Sequence, residues 1–195
     1  MESLNQETQV EETKPAEENT NWKRFFLDVV ETVILAVVLF VGINAVSARV
    51  RVDGQSMRPT LEDGEFLLVN KTEYFFGDVQ RGDIVVFHFP LNPDEDLIKR
   101  VIGLPGDKVM VENNLVSVNG QLLDEPYIAD APMYSGEWLV ADGHLFVLGD
   151  NRNNSNDSKD WGLLPLENVV GKAVLIYWPP PMWDMLEHPE ALAAQ

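Results

Sequence analysis

The sequence contains no cysteine and few basic residues, and each shortage excludes a class of protein. Without cysteine in 195 residues, the chain has no thiol nucleophile, thiolate metal site or disulfide. It carries 14 basic against 32 acidic residues, for a net charge of -18. Because nucleic-acid binding depends on basic surface, neither a nucleic-acid partner nor a polybasic membrane patch is expected. Hydrophobic residues make up 45% of the chain, which is sufficient for a packed core.

Histidine is also scarce, and the histidines follow no metal-binding pattern. There are three, and none forms a His-x-x-x-His pair or stands at ligand spacing from a carboxylate. No metal and no cofactor are therefore expected.

The N-terminal region divides into a polar tail and an apolar segment. Residues 1–22 are rich in Glu, Gln, Asn and Thr and are predicted to be a disordered acidic tail. Residues 23–48 follow, with 17 uncharged residues from 32 to 48, close to the length that spans a bilayer as a helix. A buried core helix and a cleavable signal peptide are the alternatives. The run exceeds the usual apolar core of a signal peptide, so an uncleaved transmembrane anchor is favoured.

The orientation of this anchor is only weakly indicated. Basic residues flank both ends, Lys23 and Arg24 on one side and Arg49 and Arg51 on the other, so the positive-inside signal is ambiguous. The short N-terminal tail favours an N-terminus on the inner side and a following domain on the outer side.

Residues 49–180 have the pattern of an all-β domain. Short β-branched and aromatic runs such as "EFLLVNK", "DIVVFHF", "HLFVLGD" and "GKAVLIYW" are separated by Gly, Pro, Asn and Asp. They predict a barrel or sandwich, and "ENNL" predicts a two-residue hairpin turn. The remaining residues 181–195 form a C-terminal tail, in which "MWDMLEHPEAL" has the only helix-like pattern of the domain.

The stretch "DGQSMRPTLEDG", residues 53–64, displays a serine between turn-forming residues. Ser56 is a candidate nucleophile, but a serine hydroxyl needs a base to take its proton. His88, His144 and His188 carry no local signal for that role. A lysine can serve instead, provided that burial disfavours its charged form.

Lys99 is the lysine in the most apolar setting. In "DLIKRVIGLPGD" a strand would place Leu97 and Val101 on the same face as Lys99. Lys99 could therefore be a desolvated base. Alternatively, Lys99 and Arg100 could be charges that keep an exposed edge strand soluble.

The polar loop "GDNRNNSNDSKDWG", residues 149–162, contains charges of both signs. Arg152, Asp157, Lys159 and Asp160 provide enough opposite charge for the loop to lock itself. Such a loop either simply forms turns or rigidly supports a reactive lysine.

These motifs together resemble type I signal peptidase. "SMRPTL", "RGDIVVF", "KRVIGLPGD" and "GDNRNNSNDSKDWG" occur in this order after an N-terminal apolar segment, and the resemblance covers residues from about 25 to 178. It implies a mainly antiparallel β catalytic domain on the outer side of a membrane, anchored by a single helix. It also implies a serine endopeptidase that removes signal peptides from exported preproteins, with those peptides and the lipid bilayer as partners.

The resemblance also assigns catalytic and supporting roles. Ser56 matches the nucleophile and Lys99 the general base. Ser155 matches a serine that hydrogen-bonds this lysine, and Asp157 matches an aspartate that orders the site. Lys159 stands where many members have arginine, so Asp157 would face a compact charge rather than a planar guanidinium. Arg152 is expected to support the same loop.

By the same resemblance, some members supply a second oxyanion donor from a hydroxyl two residues before the nucleophile. Gly54 occupies that position here, so this donor would be backbone, water or absent. Val52, Met57 and Leu97 are candidates for the substrate pockets, and core packing is the equal alternative.

Two other functions fit parts of the pattern. A self-cleaving repressor-type protease would need a DNA-binding domain in place of the apolar segment. A catalytically inactive, membrane-anchored binding or scaffold protein would not need the intact Ser56 and Lys99. The sequence does not reveal the preproteins, the oligomeric state or the identity of the membrane. The segment "NAVSARV" itself resembles a substrate, with small residues Ala45 and Ser47 placed for a cut after Ser47.

Overall fold

A computed structural model describes residues 22–187, except for the side chain of Phe76. The chain divides into two units, one up to Val41 and one from Gly42 onward, and each is described by itself. The predicted disordered tail lies outside the described residues, apart from Trp22, which begins a helix.

Helix α1 covers Trp22–Val46. None of its residues is buried, and it is long and apolar enough to cross a membrane, judged by length and composition alone. The helix ends two residues before the predicted end of the anchor because Ser47 begins a strand that pairs with Asn70. Two carbonyl groups of its last turn accept hydrogen bonds from outside the helix: Ser47 Oγ donates to Ile43 O at 2.8 Å, and Lys71 N donates to Val46 O at 3.0 Å.

The second unit consists of two antiparallel sheets and two short helices. Its elements are β1 Ser47–Arg51, β2 Phe66–Asn70, α2 Glu73–Phe76, β3 Ile84–Phe89, β4 Asn92–Gly103, β5 Lys108–Glu112, β6 Leu115–Val118, β7 Gln121–Leu122, β8 Gly136–Leu139, β9 His144–Leu148, α3 Ser158–Trp161, β10 Leu164–Pro165, β11 Val169–Trp178 and β12 Asp184–Met185. The large sheet has the order β1-β2-β11-β3-β4-β9-β10, with β12 paired to β11, and the small sheet has the order β7-β6-β5-β8.

The all-β prediction with antiparallel strands is confirmed, but the closed-barrel alternative is wrong. Over residues 22–187 the large sheet ends at β1 and β10, and these two strands do not pair with each other. A hydrophobic cluster joins the two sheets, since Ile102 and Phe146 of the large sheet pack with Val109 and Val116 of the small one. Packing between the two sheets therefore shields the core from solvent, and the strands do not have to form a closed barrel to do so.

The predicted "ENNL" turn is confirmed. Glu112 pairs with Leu115, and the two residues between them, Asn113 and Asn114, have φ angles of 52° and 65°. Asparagine tolerates this left-handed conformation, which matches the twist of the flanking strands.

The C-terminal stretch does not form the α-helix that its pattern suggested. A 3₁₀ turn covers Pro180–Met182, β12 follows, and Leu186 is buried in the core. Prolines 179–181 lack backbone N–H groups, and Leu186 N instead donates to Val174 O at 3.0 Å. The part of the predicted tail from 188 to 195 lies outside the described residues.

Candidate active site

Ser56 and Lys99 meet in space. Ser56 lies in the connection between β1 and β2, and Lys99 lies in β4 opposite Val85 of β3. The Nζ atom of Lys99 is 2.7 Å from Ser56 Oγ and donates a second hydrogen bond to Ile98 O at 2.9 Å. A serine hydroxyl and a lysine amine at this distance can exchange a proton directly.

The surroundings of Lys99 favour its neutral form. Only 3% of Lys99 is exposed, and burial lowers the pKa of its amine to about 8. The negative charge of Asp157 opposes this shift of the pKa, and the positive charge of Lys159 reinforces it. The edge-strand interpretation of Lys99 and Arg100 is therefore wrong, because β4 lies inside the sheet between β3 and β9 and both side chains are buried.

Arg100 forms an ion pair with Asp150 that the sequence did not predict. Its guanidinium contacts both carboxylate oxygens of Asp150, at 2.8 and 2.7 Å, and donates to Gly82 O at 2.9 Å. Thr60, four residues after the nucleophile, donates to Asp150 Oδ2 at 2.5 Å. A planar two-point ion pair is geometrically specific, so it ties the Ser56 segment, β4 and the polar loop together.

Gly149 allows the polar loop to approach the nucleophile. A Cβ atom at this position would collide with Ser56 O and with the Ser155 side chain. Two residues further, Asn151 N donates to Ser56 O at 3.0 Å and Asn151 Nδ2 to Gln55 O at 3.1 Å. The loop therefore holds the peptide group of the nucleophile directly.

The expected hydrogen bond between Ser155 and Lys99 is not formed. Ser155 Oγ is a buried atom with no hydrogen-bond partner among the described residues. It packs beside Gly149 and the Ser56 carbonyl instead. The donors of Lys99 are directed to Ser56 and Ile98, the latter supplied by the backbone of its own strand.

Asp157 orders the loop through backbone contacts. Its carboxylate accepts hydrogen bonds from Gly149 N at 3.0 Å and from Lys159 N at 3.3 Å. Asp157 N donates in turn to Asp160 Oδ2 at 3.2 Å, which completes a capping box at the start of α3. Lys159 Nζ lies 3.4 Å from Asp157 and 2.7 Å from Asp160, and it also donates to Ser155 O.

Arg152 does not take part in an ion pair inside its own loop. Its guanidinium is bound at two points by Glu125, at 2.9 and 2.6 Å, and Arg152 Nε donates to Gly149 O at 3.1 Å. The expectation of ion pairs within the loop is therefore right for Lys159 and wrong for Arg152. No local sequence signal links residues 125 and 152, which come from separate connections.

The predicted substrate-binding residues have different surroundings. Val52 and Met57 are 4% and 2% exposed and belong to the hydrophobic core, whereas Leu97 is half-buried. Gly54 has a φ of 92°, which favours glycine, and its N–H donates to Asp63 Oδ1 at 2.9 Å. A cavity of about 570 Å³ is lined by Tyr74 and other residues and includes neither Ser56 nor Lys99.

The histidines are engaged elsewhere. His88 Nδ1 lies 2.7 Å from Asp96 Oδ1, and His144 Nδ1 lies 2.9 Å from Asp142 O. His188 is outside the described residues. Across the part of the chain that the structure describes, no three His, Cys, Asp or Glu side chains are grouped to hold a metal ion.

Comparison with known proteins places this arrangement in a family. Residues 25–178 match the family "Signal peptidase, peptidase S26". Signal peptidase I of Leptolyngbya laminosa is 47% identical over 77% of this chain and 78% of its own length. Probable signal peptidase I-2 of Synechocystis is 41% identical over 95% and 85%, respectively. A crystal structure of a signal peptidase I from Enterococcus faecalis has 32% identity and a TM-score of 0.46, covering 49% of this chain and 97% of its own. The family match over residues 25–178 and the two relatives at 47% and 41% identity show that this chain belongs to the signal peptidase family S26.

Proposed function

We propose that this protein is a membrane-anchored serine endopeptidase that removes N-terminal signal peptides from exported preproteins. The observation that carries the proposal is the 2.7 Å contact between Lys99 Nζ and Ser56 Oγ in a buried setting. Membership of the family and the similarity to proteins named signal peptidase I support the choice of substrate.

In the proposed mechanism, neutral Lys99 takes the proton of Ser56 as Oγ attacks the scissile carbonyl carbon. The resulting tetrahedral intermediate collapses when its C–N bond breaks, and the Lys99 ammonium gives its proton to the departing amine of the mature protein. The signal peptide is then held as an ester on Ser56. A water molecule loses a proton to neutral Lys99 and attacks the ester carbonyl carbon. The ester C–O bond then breaks, Lys99 returns this proton to Ser56 Oγ, and the signal peptide leaves as a carboxylic acid that gives up its proton to the solvent.

The oxyanion requires hydrogen-bond donors, and we propose the backbone N–H of Ser56 as one of them. The backbone N–H of Gly54 is already donated to Asp63. This observation argues against Gly54 as the second donor and leaves water as the simplest source.

The supporting residues are proposed to act by holding the dyad in place. Asp157 and Lys159 connect the polar loop to α3, and their charges have opposite effects on the pKa of Lys99. Ser155 would fill the space beside Gly149, next to the nucleophile. Leu97, which is half-buried on the strand that carries Lys99, is the candidate for the pocket that receives the substrate. Val52 and Met57 belong to a different core cluster from the one that Leu97 packs against, so we do not assign them to this pocket.

Membrane attachment is proposed to depend on residues 23–48. A helix of the length of α1, 25 residues, extends about 37 Å at 1.5 Å per residue, which exceeds the roughly 30 Å hydrocarbon core of a bilayer. In this proposal residues 1–22 are cytoplasmic, and residues 49–180, followed by the 181–195 tail, face the outer side of the cell membrane or of an internal membrane. Ser56 comes eight residues after Ala48, so an extended chain separates the two by at most about 29 Å, which limits how far the nucleophile can lie from the membrane surface where cleavage sites emerge.

The proposal is tested by incubating the full-length protein in detergent with a preprotein and sequencing the new N-terminus of the product. Cleavage at the junction between signal peptide and mature protein is expected with the wild type and not with Ser56→Ala. Absence of cleavage by a folded wild type across several preproteins would instead support an inactive scaffold.

A further inference from the structure

The connection between β7 and β8 crosses to the polar loop of the active site. We define the strap as residues 124–134 of this connection. It contains Glu125, which binds Arg152 at two points, and it contacts Asn153 at a second place. There, Asn153 Nδ2 donates to Ala131 O at 3.0 Å, and Met133 N donates to Asn153 Oδ1 at 2.8 Å. The two ends of the strap therefore bind Arg152 and Asn153, which are adjacent residues of the polar loop.

The Glu125–Arg152 pair is shielded from solvent. The side chain of Arg152 is fully buried and that of Glu125 is 6% exposed. Tyr127 OH donates to Glu125 Oε1 at 3.0 Å, and the Tyr127 ring lies under Arg100, with the guanidinium carbon 3.9 Å from its centroid. Removing one partner of such a pair leaves an uncompensated buried charge, so Arg152 has one defined position only while Glu125 is present.

Arg152 transmits this position to the nucleophile in two steps. Arg152 Nε donates to Gly149 O, at 3.1 Å. The adjacent Asn151 donates its backbone N–H to Ser56 O at 3.0 Å, and Gly149 itself packs against the same carbonyl group. A shift of the Arg152 guanidinium would therefore displace the peptide group that carries Ser56 Oγ.

We infer that Glu125 is a positioning residue for the hydrolysis, acting through Arg152 to hold Ser56 in line with Lys99. The small sheet, which contributes neither member of the dyad, thereby participates in catalysis through the strap. This inference rests on the proposed function for its kinetic consequences, although the structural coupling is testable without activity.

The kinetic test compares Glu125→Gln with a matched control, Glu137→Gln, in the full-length protein with a preprotein substrate. Glu137 pairs with Lys108 on the surface of the same small sheet, so its loss should leave the rate unchanged. Because small displacements of reacting groups are costly, Glu125→Gln should lower kcat by about ten- to a hundredfold while KM changes by less than about twofold. A kcat equal to that of the control, at a temperature at which both proteins are folded, would overturn the inference.

A milder variant covers the case in which Glu125→Gln does not fold. Asn153 is exposed, and Asn153→Ala removes its two hydrogen bonds to the strap without leaving a buried charge unpaired. It should lower kcat by about two- to tenfold, the loss expected of one or two hydrogen bonds, again without raising KM. If Asn153→Ala is folded and has the wild-type kcat, the strap does not position the nucleophile.

Hydrogen exchange separates this inference from the proposed function. In Glu125→Gln, but not in Glu137→Gln, amides of the segment 149–152 should exchange at least about tenfold faster, since local opening there costs less free energy. Faster exchange in a protein that cleaves no preprotein would reject the proposed function and retain the coupling. Unchanged exchange would reject the coupling itself.

Discussion

Lys99 Nζ lies 2.7 Å from Ser56 Oγ, although the two residues are 43 positions apart in the chain. Lys99 comes from an interior strand of the large sheet, and Ser56 comes from an irregular connection. The contact depends on the polar loop, which binds the backbone of Ser56 and also places Asp157 and Lys159 around the amine. Six expected outcomes follow from this arrangement and from the proposed function.

Replacing Lys99 with arginine should abolish cleavage while retaining the positive charge. A guanidinium cannot be deprotonated in a protein, so it cannot accept the proton of Ser56. Loss of the general base should lower kcat by at least about 100-fold, as should Lys99→Ala. Kinetics with a preprotein, alongside circular dichroism as a control for folding, measure this effect. Substantial turnover by Lys99→Arg would eliminate lysine as the base.

The rate should rise with pH over the neutral range. Because burial lowers the pKa of Lys99 to about 8, the neutral amine is a minority at pH 6 and the majority above pH 8. Below the pKa, kcat/KM should rise about tenfold per pH unit before it levels off. A profile that is flat from about pH 6 to pH 9 in single-turnover measurements would contradict this base, given a lysine pKa in that interval.

Lys159 provides a way to shift that profile. Its positive charge lowers the pKa of Lys99, so Lys159→Gln should raise this pKa and move the acidic limb of the profile to higher pH. Lys108→Gln, which removes an exposed lysine of the small sheet, is the matched control and should leave the limb in place. A shift of equal size in both variants would show a general charge effect.

Gly149 should not tolerate even alanine. The added methyl group would collide with the Ser56 carbonyl and the Ser155 side chain, and an overpacked interior typically loses about 1–3 kcal/mol of stability. We expect Gly149→Ala to lower the free energy of unfolding by this amount and to lower kcat. Gly77→Ala is the control because its new methyl would meet only an ordinary contact. Denaturant unfolding and preprotein kinetics report the two effects.

The enzyme should require a small residue immediately before the cut. In the proposed site, the half-buried Leu97 lines a shallow pocket, and a pocket wall excludes larger side chains by overlap. Preproteins with Ala, Gly or Ser at this position should be processed, whereas those with Phe or Lys should persist. Gel analysis of a series of substrates tests this expectation, and efficient processing of the Phe variant would show that the pocket is assigned wrongly.

Self-cleavage between Ser47 and Ala48 should be slow and intermolecular. Both residues lie in β1, paired with Asn70 and Val69 of β2, so the strand must detach before it can enter an active site. Val50→Ala removes part of the contact of β1 with the core and should speed clipping. Mass spectrometry of stored protein, with Ser56→Ala beside it, measures the cut. A rate per molecule that does not change on dilution would contradict cleavage by a second molecule.

The sequence by itself determined the apolar helix, the antiparallel β class, the Asn113–Asn114 turn and the membership of the family, because these depend on local periodicity, turn chemistry and motif order. It also singled out Ser56 and Lys99, whose proximity is now visible although their roles stay predictions. Tertiary structure decided what depends on contacts between distant segments. The sheet stays open because the two sheets close the core together, and Lys99 is desolvated because β4 is interior. Only the folded chain brings Asp150 to Arg100 and Glu125 to Arg152. In the sequence, each arginine has many acidic residues as possible partners, and three-dimensional packing selects one of them.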